Sequence, residues 1–175
     1  HLLIESPKSP TIAQDSIIQP LLEGIYLGNY TFQRKKESAK SFNHKITICK
    51  LDKSYALLLQ ETKKLCEAVN ETRDLVNENA DILTPSQFAK KAMKASRKLK
   101  IKCTVLDEKA LQKAGCRLLL AVGQGAKNKP RLIIMEHLKG GKNKKTIALF
   151  GKGITFDSGG LNLKPSGHIE TMKQD

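Results

Sequence analysis

Apolar positions recur along this chain with two periods, and each period predicts one kind of element. Between Ser54 and Asn77 the apolar residues return at helical spacing, which predicts a long helix with Ser54 as its N-cap. Its expected buried face consists of Leu58, Leu65, Val69 and Val76. The run Ile46–Cys49 just before it predicts a short strand.

A second helix is predicted from a strong start signal. Thr84 can act as the N-cap, Pro85 suits the first helical position, and Gln87 is placed to close a capping box. The helix should end near Leu99, with its lysines opposite a buried stripe. That stripe is expected to contain Phe88, Ala92, Ala95 and Leu99.

The pattern then changes to short strands around one short helix. Ile101, Cys103 and Val105 alternate as in a strand, and Asp107 can cap a helix that Gly115 ends. Three further apolar runs predict a meander of strands: Leu118–Val122, Leu132–Met135 and Ile147–Phe150. Helices alternating with strands predict an α/β fold, with a mixed β-sheet flanked by helices.

The first fifty residues contain little periodicity outside Ile46–Cys49. Pro7, Pro10 and Pro20 predict irregular structure there. The acidic residues and prolines of the first 18 positions do not fit a secretory signal, and no apolar run is long enough for a membrane span. We therefore expect a cytoplasmic protein that does not enter membranes.

The net charge of +14, from 31 basic and 17 acidic residues, raises the possibility of an anionic partner. Nucleic acid is the obvious candidate, although a solvated surface explains the same charges. With no Trp and 5% aromatic residues, binding of single strands by stacking is disfavoured, which leaves the phosphate backbone. The basic residues cluster at Arg34–Lys36, at Lys90, Lys91, Lys94, Arg97, Lys98, Lys100 and Lys102, and at Lys139, Lys142, Lys144 and Lys145.

The cysteines and histidines do not have the spacing of a metal site. Cys49, Cys66, Cys103 and Cys116 lie far apart in apolar surroundings, which predicts small core residues in a reducing compartment. The four histidines are equally dispersed. Neither residue type therefore suggests a zinc finger or a disulfide framework.

Candidate chemistry concentrates in the segment 151–164, where glycines surround Lys152, Asp157 and Lys164. Carboxylates can hold divalent ions, and glycines let the backbone approach reacting atoms. A P-loop would need glycine at position 146, which is Thr146, and a dinucleotide fingerprint starting at Gly123 would need glycine at position 128, which is Asn128. A solvated polar loop and a metal site both remain open on these grounds.

The run Gly-Lys-Gly-Ile-Thr-Phe-Asp-Ser-Gly-Gly-Leu-Asn-Leu-Lys-Pro at 151–165, followed by Met-Lys-Gln-Asp at 172–175, resembles the signature of the leucyl (cytosol) aminopeptidases. The resemblance continues upstream at Thr72–Asn77, Leu83–Pro85, Leu120–Gly125 and Pro130–Leu132. It implies that residues 53–175 are the N-terminal part of a metallopeptidase catalytic domain. Residues 1–52 would be the tail of an N-terminal domain with its linker.

The same resemblance implies roles for four residues. Lys152, Asp157 and Asp175 match three ligands of a site for two divalent ions (zinc, manganese or magnesium), with Asp157 bridging both. A lysine ligates only as the neutral amine, a form that nearby divalent cations favour. Lys164 matches the catalytic lysine, whose ammonium would stabilise the tetrahedral oxyanion.

The activity implied is metal-dependent release of N-terminal residues, preferably leucine, from peptide substrates by a homo-hexamer. The family's downstream Asp-x-Glu-x-Arg pattern is missing here, so we expect a fragment of a longer protein that is inactive alone. Two alternatives stay open. The chain could be a DNA-binding protein that uses its basic surface on the same scaffold, or a non-catalytic remnant.

Overall fold

A computed structural model of the protein describes residues 2–32, 46–141 and 145–173. The chain divides into two compact units, residues 1–77 and 78–175. Helices and two small sheets make up the described part, which confirms a mixed α/β fold. The elements are β1 (Leu2–Glu5), α1 (Asp15–Gly28), β2 (Ile46–Cys49), α2 (Ala56–Asn77), α3 (Pro85–Leu99), β3 (Lys102–Leu106), α4 (Glu108–Lys113), α5 (Arg117–Val122) and β4 (Leu132–Glu136).

The first unit pairs a parallel two-stranded sheet with a packed pair of helices. β1 and β2 run in parallel from the pair Leu2 and Ile46 to the pair Glu5 and Cys49. α1 packs against α2. Ile18 and Leu22, one turn apart on α1, are buried, as are Thr62 and Cys66 on α2. Helical i, i+4 spacing thus supplies both sides of this small core.

The expectation of irregular structure before residue 46 was wrong for α1 and β1. Pro20 lies inside α1, where a proline normally disfavours a helix because its ring nitrogen has no hydrogen to donate. The helix forms around it because Ile18 and Leu22 can be buried on one face. The gain from burying that face outweighs the loss of one hydrogen bond.

The long helix α2 was predicted correctly, but its cap and its buried face were not. Asp52 provides the cap: its carboxylate accepts a hydrogen bond from the Ser54 backbone N–H at 2.8 Å, ahead of a 3₁₀ turn at Lys53–Tyr55. The buried residues of α2 are Thr62 and Cys66, whereas Leu58 of the predicted face is half-buried and Leu65, Val69 and Val76 are exposed. The face that meets α1 carries small residues, which permit close packing of the two helices.

The second unit confirms the capping signals that the sequence contains. The Thr84 hydroxyl accepts from the Gln87 N–H at 3.4 Å at the start of α3. The Asp107 carboxylate accepts from the Ala110 N–H at 2.9 Å at the start of α4, and Gly115 follows that helix with φ of 72°. β3 and β4 pair antiparallel, with Lys102 opposite Glu136 and Leu106 opposite Leu132.

Two predicted strands of the meander are absent from the described residues. The run 118–122 lies in helix α5, and residues 147–150 have no regular secondary structure. An apolar run alone does not distinguish a strand from a helix, and a strand persists only where a neighbour pairs with its backbone. Ile147, Leu149 and Phe150 are 84%, 92% and 98% exposed, so packing does not order this run either.

The expected buried stripe of α3 was right in part. Phe88, Ala92 and Ala95 are half-buried, but Leu99 is exposed, and the fully buried positions are Ala89 and Ser96. The Ser96 hydroxyl donates to the Ala92 carbonyl at 2.8 Å, which satisfies its hydrogen-bonding capacity in the core.

Of the four cysteines, Cys66 is buried and the others are half-buried, all as free thiols. Burial raises the pKa of the Cys66 thiol, and the charge of Glu23 adds to this effect. The prediction of small core residues is therefore confirmed for Cys66, whereas the other three cysteines lie at the edge of the packed regions.

Candidate functional site

The glycine-rich segment that follows position 150 forms a series of turns in the second unit. It does not follow the end of a strand, as the sequence had suggested, because residues 147–150 are irregular. Gly159 and Gly160 have φ of 92° and 76°. A Cβ on Gly159 would lie 2.3 Å from the Asn162 carbonyl oxygen, so only glycine fits this turn.

Asp157 is the centre of this loop. Its Oδ1 accepts a hydrogen bond from the Gly159 N–H at 2.9 Å, and its Oδ2 lies 3.1 Å from Lys164 Nζ. The side chain of Asp157 is 37% exposed and that of Lys164 is 24% exposed. The turn at Gly159 thus directs a backbone donor and a lysine at the same carboxylate.

This environment favours the carboxylate form of Asp157. The hydrogen bond from Gly159 is the main reason that the pKa of Asp157 lies below its usual range, followed by the hydrogen bond and charge of Lys164. The charge of Lys152 lowers the pKa of Asp157 further. The structure therefore brings together three of the four residues that the sequence singled out. The fourth, Asp175, lies outside the described residues.

Backbone contacts hold the two ends of the loop in place. The Lys164 N–H donates to the Ser158 carbonyl at 2.9 Å, and the Asp157 N–H points at the Met172 sulfur at 3.3 Å. Sequence reasoning assigned no role to Met172, although this residue lies in the run at 172–175 that resembles the family signature. It could have found Gly159, because a Gly-Gly pair is a turn signal and an aspartate two residues earlier often accepts the turn N–H.

A shallow cleft with a volume of about 350 Å³ opens beside Lys164. It gives the lysine access to a small molecule or to the end of a peptide. The residues that line it are Asn162, Leu163, Lys164, Pro165, His168, Thr171 and Met172.

Lys173 ties this region to the residue that follows α2. Its ammonium donates to the Glu78 backbone carbonyl, and partial burial lowers the pKa of the Lys173 amine. The turns that precede Asp175 in the sequence are thereby attached to the start of the second unit.

The side chains present fit part of a metal site. The anionic Asp157 carboxylate is a suitable ligand for a divalent cation, and the neutral Lys152 amine would be another. Within the described ranges, no group of three or more His, Cys, Asp and Glu side chains could hold a metal ion. The type of donor therefore fits, but further donors are needed to complete the coordination of even one ion.

Comparison with known proteins decides the family. The profile of the cytosol aminopeptidase family, catalytic domain, matches residues 70–175. The chain belongs to the cytosol aminopeptidase family. The matched range includes α3, both strands of the second sheet and the whole glycine-rich loop.

Relatives in the cytosol aminopeptidase family align with almost the whole chain. The "Probable cytosol aminopeptidase" of Protochlamydia amoebophila is 41% identical over 180 residues, which cover 99% of this chain and 36% of the relative. That of Aquifex aeolicus is 38% identical over 159 residues, which cover 91% of this chain and 32% of the relative. The chain thus spans about a third of the length of the curated relatives it matches.

Solved structures share the same fold. The bottromycin maturation enzyme BotP in complex with Mn superposes with a TM-score of 0.81 at 29% identity, covering 99% of this chain and 37% of BotP. The leucine aminopeptidase of Caenorhabditis elegans gives a TM-score of 0.73 at 26% identity, covering 99% and 33% respectively. The similarity to these enzymes includes the first unit as well as the catalytic-domain match.

Proposed function

We propose that this cytosol aminopeptidase chain carries part of a two-metal site, and that the whole protein releases N-terminal residues, preferably leucine, from peptides. The observation that carries this proposal is the Asp157 carboxylate, which lies between the Gly159 N–H and the Lys164 amine within the segment that matches the family. A charged carboxylate beside partly exposed lysines is the arrangement expected of a polar reaction site.

In this proposal Asp157 would help to hold both divalent ions, while Lys152 and Asp175 would both be ligands of the same one of them. When bound, the ions would polarise the scissile carbonyl and activate a water molecule at neutral pH. Manganese is supported by the Mn complex of BotP, and zinc and magnesium are the other candidates. Asp175 is included among the proposed ligands only because of its position in the sequence, 175 − 157 = 18 residues after Asp157.

Lys164 would act on the substrate through its ammonium. The cleft beside it could admit the end of a peptide, and 24% exposure of the side chain leaves its charge only partly screened by water. A cation held in place before the reaction stabilises an oxyanion without reorganisation at the moment when the negative charge develops. The contact with Asp157 would fix the position of Lys164 during this step.

Several features of the whole protein belong to the same proposal. They are a cytoplasmic location, a homo-hexameric assembly, and a boundary near residue 52 between an N-terminal domain and the catalytic domain. None of the helices in the described part of the chain has the length and apolar character of a membrane span.

Two substitutions in the full-length gene product test the site residues. Asp157→Asn keeps the size of the side chain and an acceptor for Gly159 but removes the negative charge. We expect kcat/KM for leucine amide to fall at least about 100-fold, together with the metal content. Lys164→Gln should lower kcat by about 10² to 10³, the usual cost of losing an oxyanion donor, without loss of metal.

Lys127→Gln is the matched control, because Lys127 is an exposed lysine of the same unit, outside the loop. It should change the rate by no more than about twofold, as exposed substitutions usually do. Metal content measured by mass spectrometry separates the two roles. Full activity of Asp157→Asn, or equal effects of Lys164→Gln and Lys127→Gln, would contradict the assignment.

A further inference from the structure

The sulfur of Met172 is a chemically reactive atom that the proposed aminopeptidase chemistry does not use. It lies 3.3 Å from the backbone nitrogen of Asp157, whose N–H points at it. A thioether is a weak hydrogen-bond acceptor, and it is also a group that hydroperoxides oxidise. A change in the oxidation state of this sulfur would therefore act directly on the backbone of the central aspartate.

The cleft beside Lys164 gives an oxidant access to this sulfur. Met172 is one of the residues that line the cleft, and its side chain is half-buried rather than enclosed. The volume of about 350 Å³ has room for hydrogen peroxide, a molecule little larger than water. Met172 thus combines an accessible sulfur with a contact to the candidate site.

The backbone around Met172 is held on both sides. The Met172 N–H donates to the Ile169 carbonyl at 3.3 Å. The ammonium of the next residue, Lys173, donates to the Glu78 carbonyl. Because these contacts restrain the backbone, a change in the size or polarity of the Met172 side chain has to be accommodated where that side chain points, at Asp157.

We propose that Met172 is a site of reversible oxidation, and that conversion of its sulfur to the sulfoxide weakens metal binding through Asp157. A sulfur lone pair attacks one oxygen of hydrogen peroxide, the O–O bond breaks, and an S=O bond forms. The sulfur loses two electrons, and the other oxygen takes both protons and leaves as water. A methionine sulfoxide reductase reverses the step with two electrons and two protons from a pair of thiols, releasing the oxygen as water. The inference rests on the metal site of the proposed function.

The sulfoxide does not fit the present contact with Asp157. An oxygen that faced the N–H would need about 2.9 Å to the nitrogen, and the S=O bond adds to this, whereas sulfur and nitrogen are 3.3 Å apart. An oxygen that faced away would withdraw electrons from the sulfur, which would then accept the hydrogen bond more weakly. In both cases the Asp157 backbone loses its present support.

This loss of support is transmitted to the carboxylate of the same residue. The Asp157 carboxylate is positioned by the Gly159 N–H at 2.9 Å and by Lys164 at 3.1 Å. Metal ligands must be held within about 0.5 Å of their working positions, and loss of a supporting contact typically costs about 10- to 100-fold in metal affinity. We expect a decrease of at least about tenfold on oxidation of Met172.

The test uses the full-length gene product, stripped of metal, before and after treatment with hydrogen peroxide. The peroxide is removed with catalase, and a thiol then reverses the oxidation of cysteines but not that of methionines. The apparent Kd for Mn²⁺ is measured from the electron paramagnetic resonance signal of the free ion. Mass spectrometry of peptides gives the fraction of sulfoxide at each methionine.

Three variants isolate the effect of Met172. Met172→Leu keeps the volume of the side chain but removes the oxidisable sulfur. Met135→Leu is the matched control, because Met135 is a methionine of the same unit that lies outside the loop and is 49% exposed. Met172→Gln places a polar oxygen on a side chain of similar length and so imitates the sulfoxide without peroxide.

Peroxide is expected to raise the apparent Kd of the wild type and of Met135→Leu at least about tenfold, in proportion to the sulfoxide at Met172. Methionine sulfoxide reductases should restore the affinity. Met172→Gln should bind Mn²⁺ weakly from the start, and Met172→Leu should bind with the same affinity before and after peroxide. The comparison uses the change on treatment, so a lower starting affinity of Met172→Leu does not affect it.

The inference is overturned if peroxide leaves Met172 unoxidised, if wild-type protein with oxidised Met172 keeps its affinity, or if Met172→Leu loses as much affinity as the wild type. Absence of Mn²⁺ binding by the untreated wild type is a different result. It would contradict the proposed function and, with it, this inference.

Discussion

Asp157 is the residue on which the candidate site depends. Its carboxylate is positioned by the Gly159 N–H, at 2.9 Å, and by Lys164, at 3.1 Å. The first of these donors belongs to the backbone, at a position that adopts φ of 92°. The geometry of the site therefore depends on a glycine that contributes no side chain.

Gly159→Ala is expected to disrupt this loop. The added Cβ would lie 2.3 Å from the Asn162 carbonyl oxygen, at a φ that residues with a Cβ rarely adopt. Strain of this kind costs about 1 to 3 kcal/mol. We expect the full-length gene product to lose metal affinity and activity, measured by metal titration and by hydrolysis of leucine amide.

Two other glycines provide the controls. Gly160 has φ of 76° but open space around its Cβ position, so Gly160→Ala should have a smaller effect. Gly125 has open space and no positive φ, so Gly125→Ala should leave activity unchanged. Equal activity of the Gly159 and Gly125 variants would show that the turn does not position Asp157.

At the scale of the elements, the sequence predicted best where the signal was local. Thr84 and Asp107 cap their helices as expected, because a cap depends on a few neighbouring residues. The predictions failed where contacts with residues distant in the sequence determine the structure. The strand expected at 147–150 has no neighbour in the described chain, and α1 forms in spite of Pro20 because it packs on α2.

The buried face of α2 differs from the predicted face for the same reason. Leu65 and Val69 share a helical period with Thr62 and Cys66, and a single sequence does not say which of these faces will meet α1. Arg73 of α2 then fixes the register against the end of α1: it donates to the Leu27 carbonyl at 2.9 Å and stacks over the Tyr30 ring at 3.8 Å. A local sequence pattern does not reveal contacts between residues that lie more than forty positions apart.

The Asp52 cap of the 3₁₀ turn that precedes α2 predicts a dependence of stability on pH. Hydrogen bonds from the Ser54 backbone and side chain hold the pKa of Asp52 below its usual value of 3.8. A lowered pKa contributes stability above pH 3.8, and that contribution is lost as the pH falls through the lower pKa of the folded state. Asp52→Ala should therefore lower the thermal midpoint at pH 7 but have little effect near pH 2.

Asp52→Asn is the control for this cap, since an asparagine oxygen can also accept from the Ser54 N–H. It should keep most of the stability at pH 7 and show a weaker dependence on pH than the wild type. Thermal unfolding followed by circular dichroism at both pH values measures this. A deficit of Asp52→Ala that is the same at pH 7 and pH 2 would contradict the capping role.

At the scale of the whole molecule, the order of residues in the loop carried more information than their types. The residue types alone are compatible with both a polar loop and a metal site, since they are lysines, an aspartate and glycines. The run at 151–165 resembled a family, and the match over residues 70–175 confirmed it. The contact between the Asp157 N–H and the Met172 sulfur could not be predicted in the same way, because the two residues lie fifteen positions apart in the sequence.

The sequence gives the total charge of the chain, but only the structure shows where its charges lie. The net charge of +14 predicts affinity for anions, but it does not say where. In the structure, Lys102 and Lys164 pair with Glu136 and Asp157, whereas the lysines of α3 are exposed. One set of lysines thus belongs to the fold and the candidate site, and the other lies on the surface.

The proposed function requires that the whole protein be a metal-dependent aminopeptidase whose site includes this loop. To test this, the full-length gene product is stripped with a chelator and dialysed, and release of leucine from leucine amide is measured as Mn²⁺ or Zn²⁺ is added back. We expect loss of activity on stripping and recovery with the added metal. Activity that persists undiminished in the presence of the chelator would contradict it.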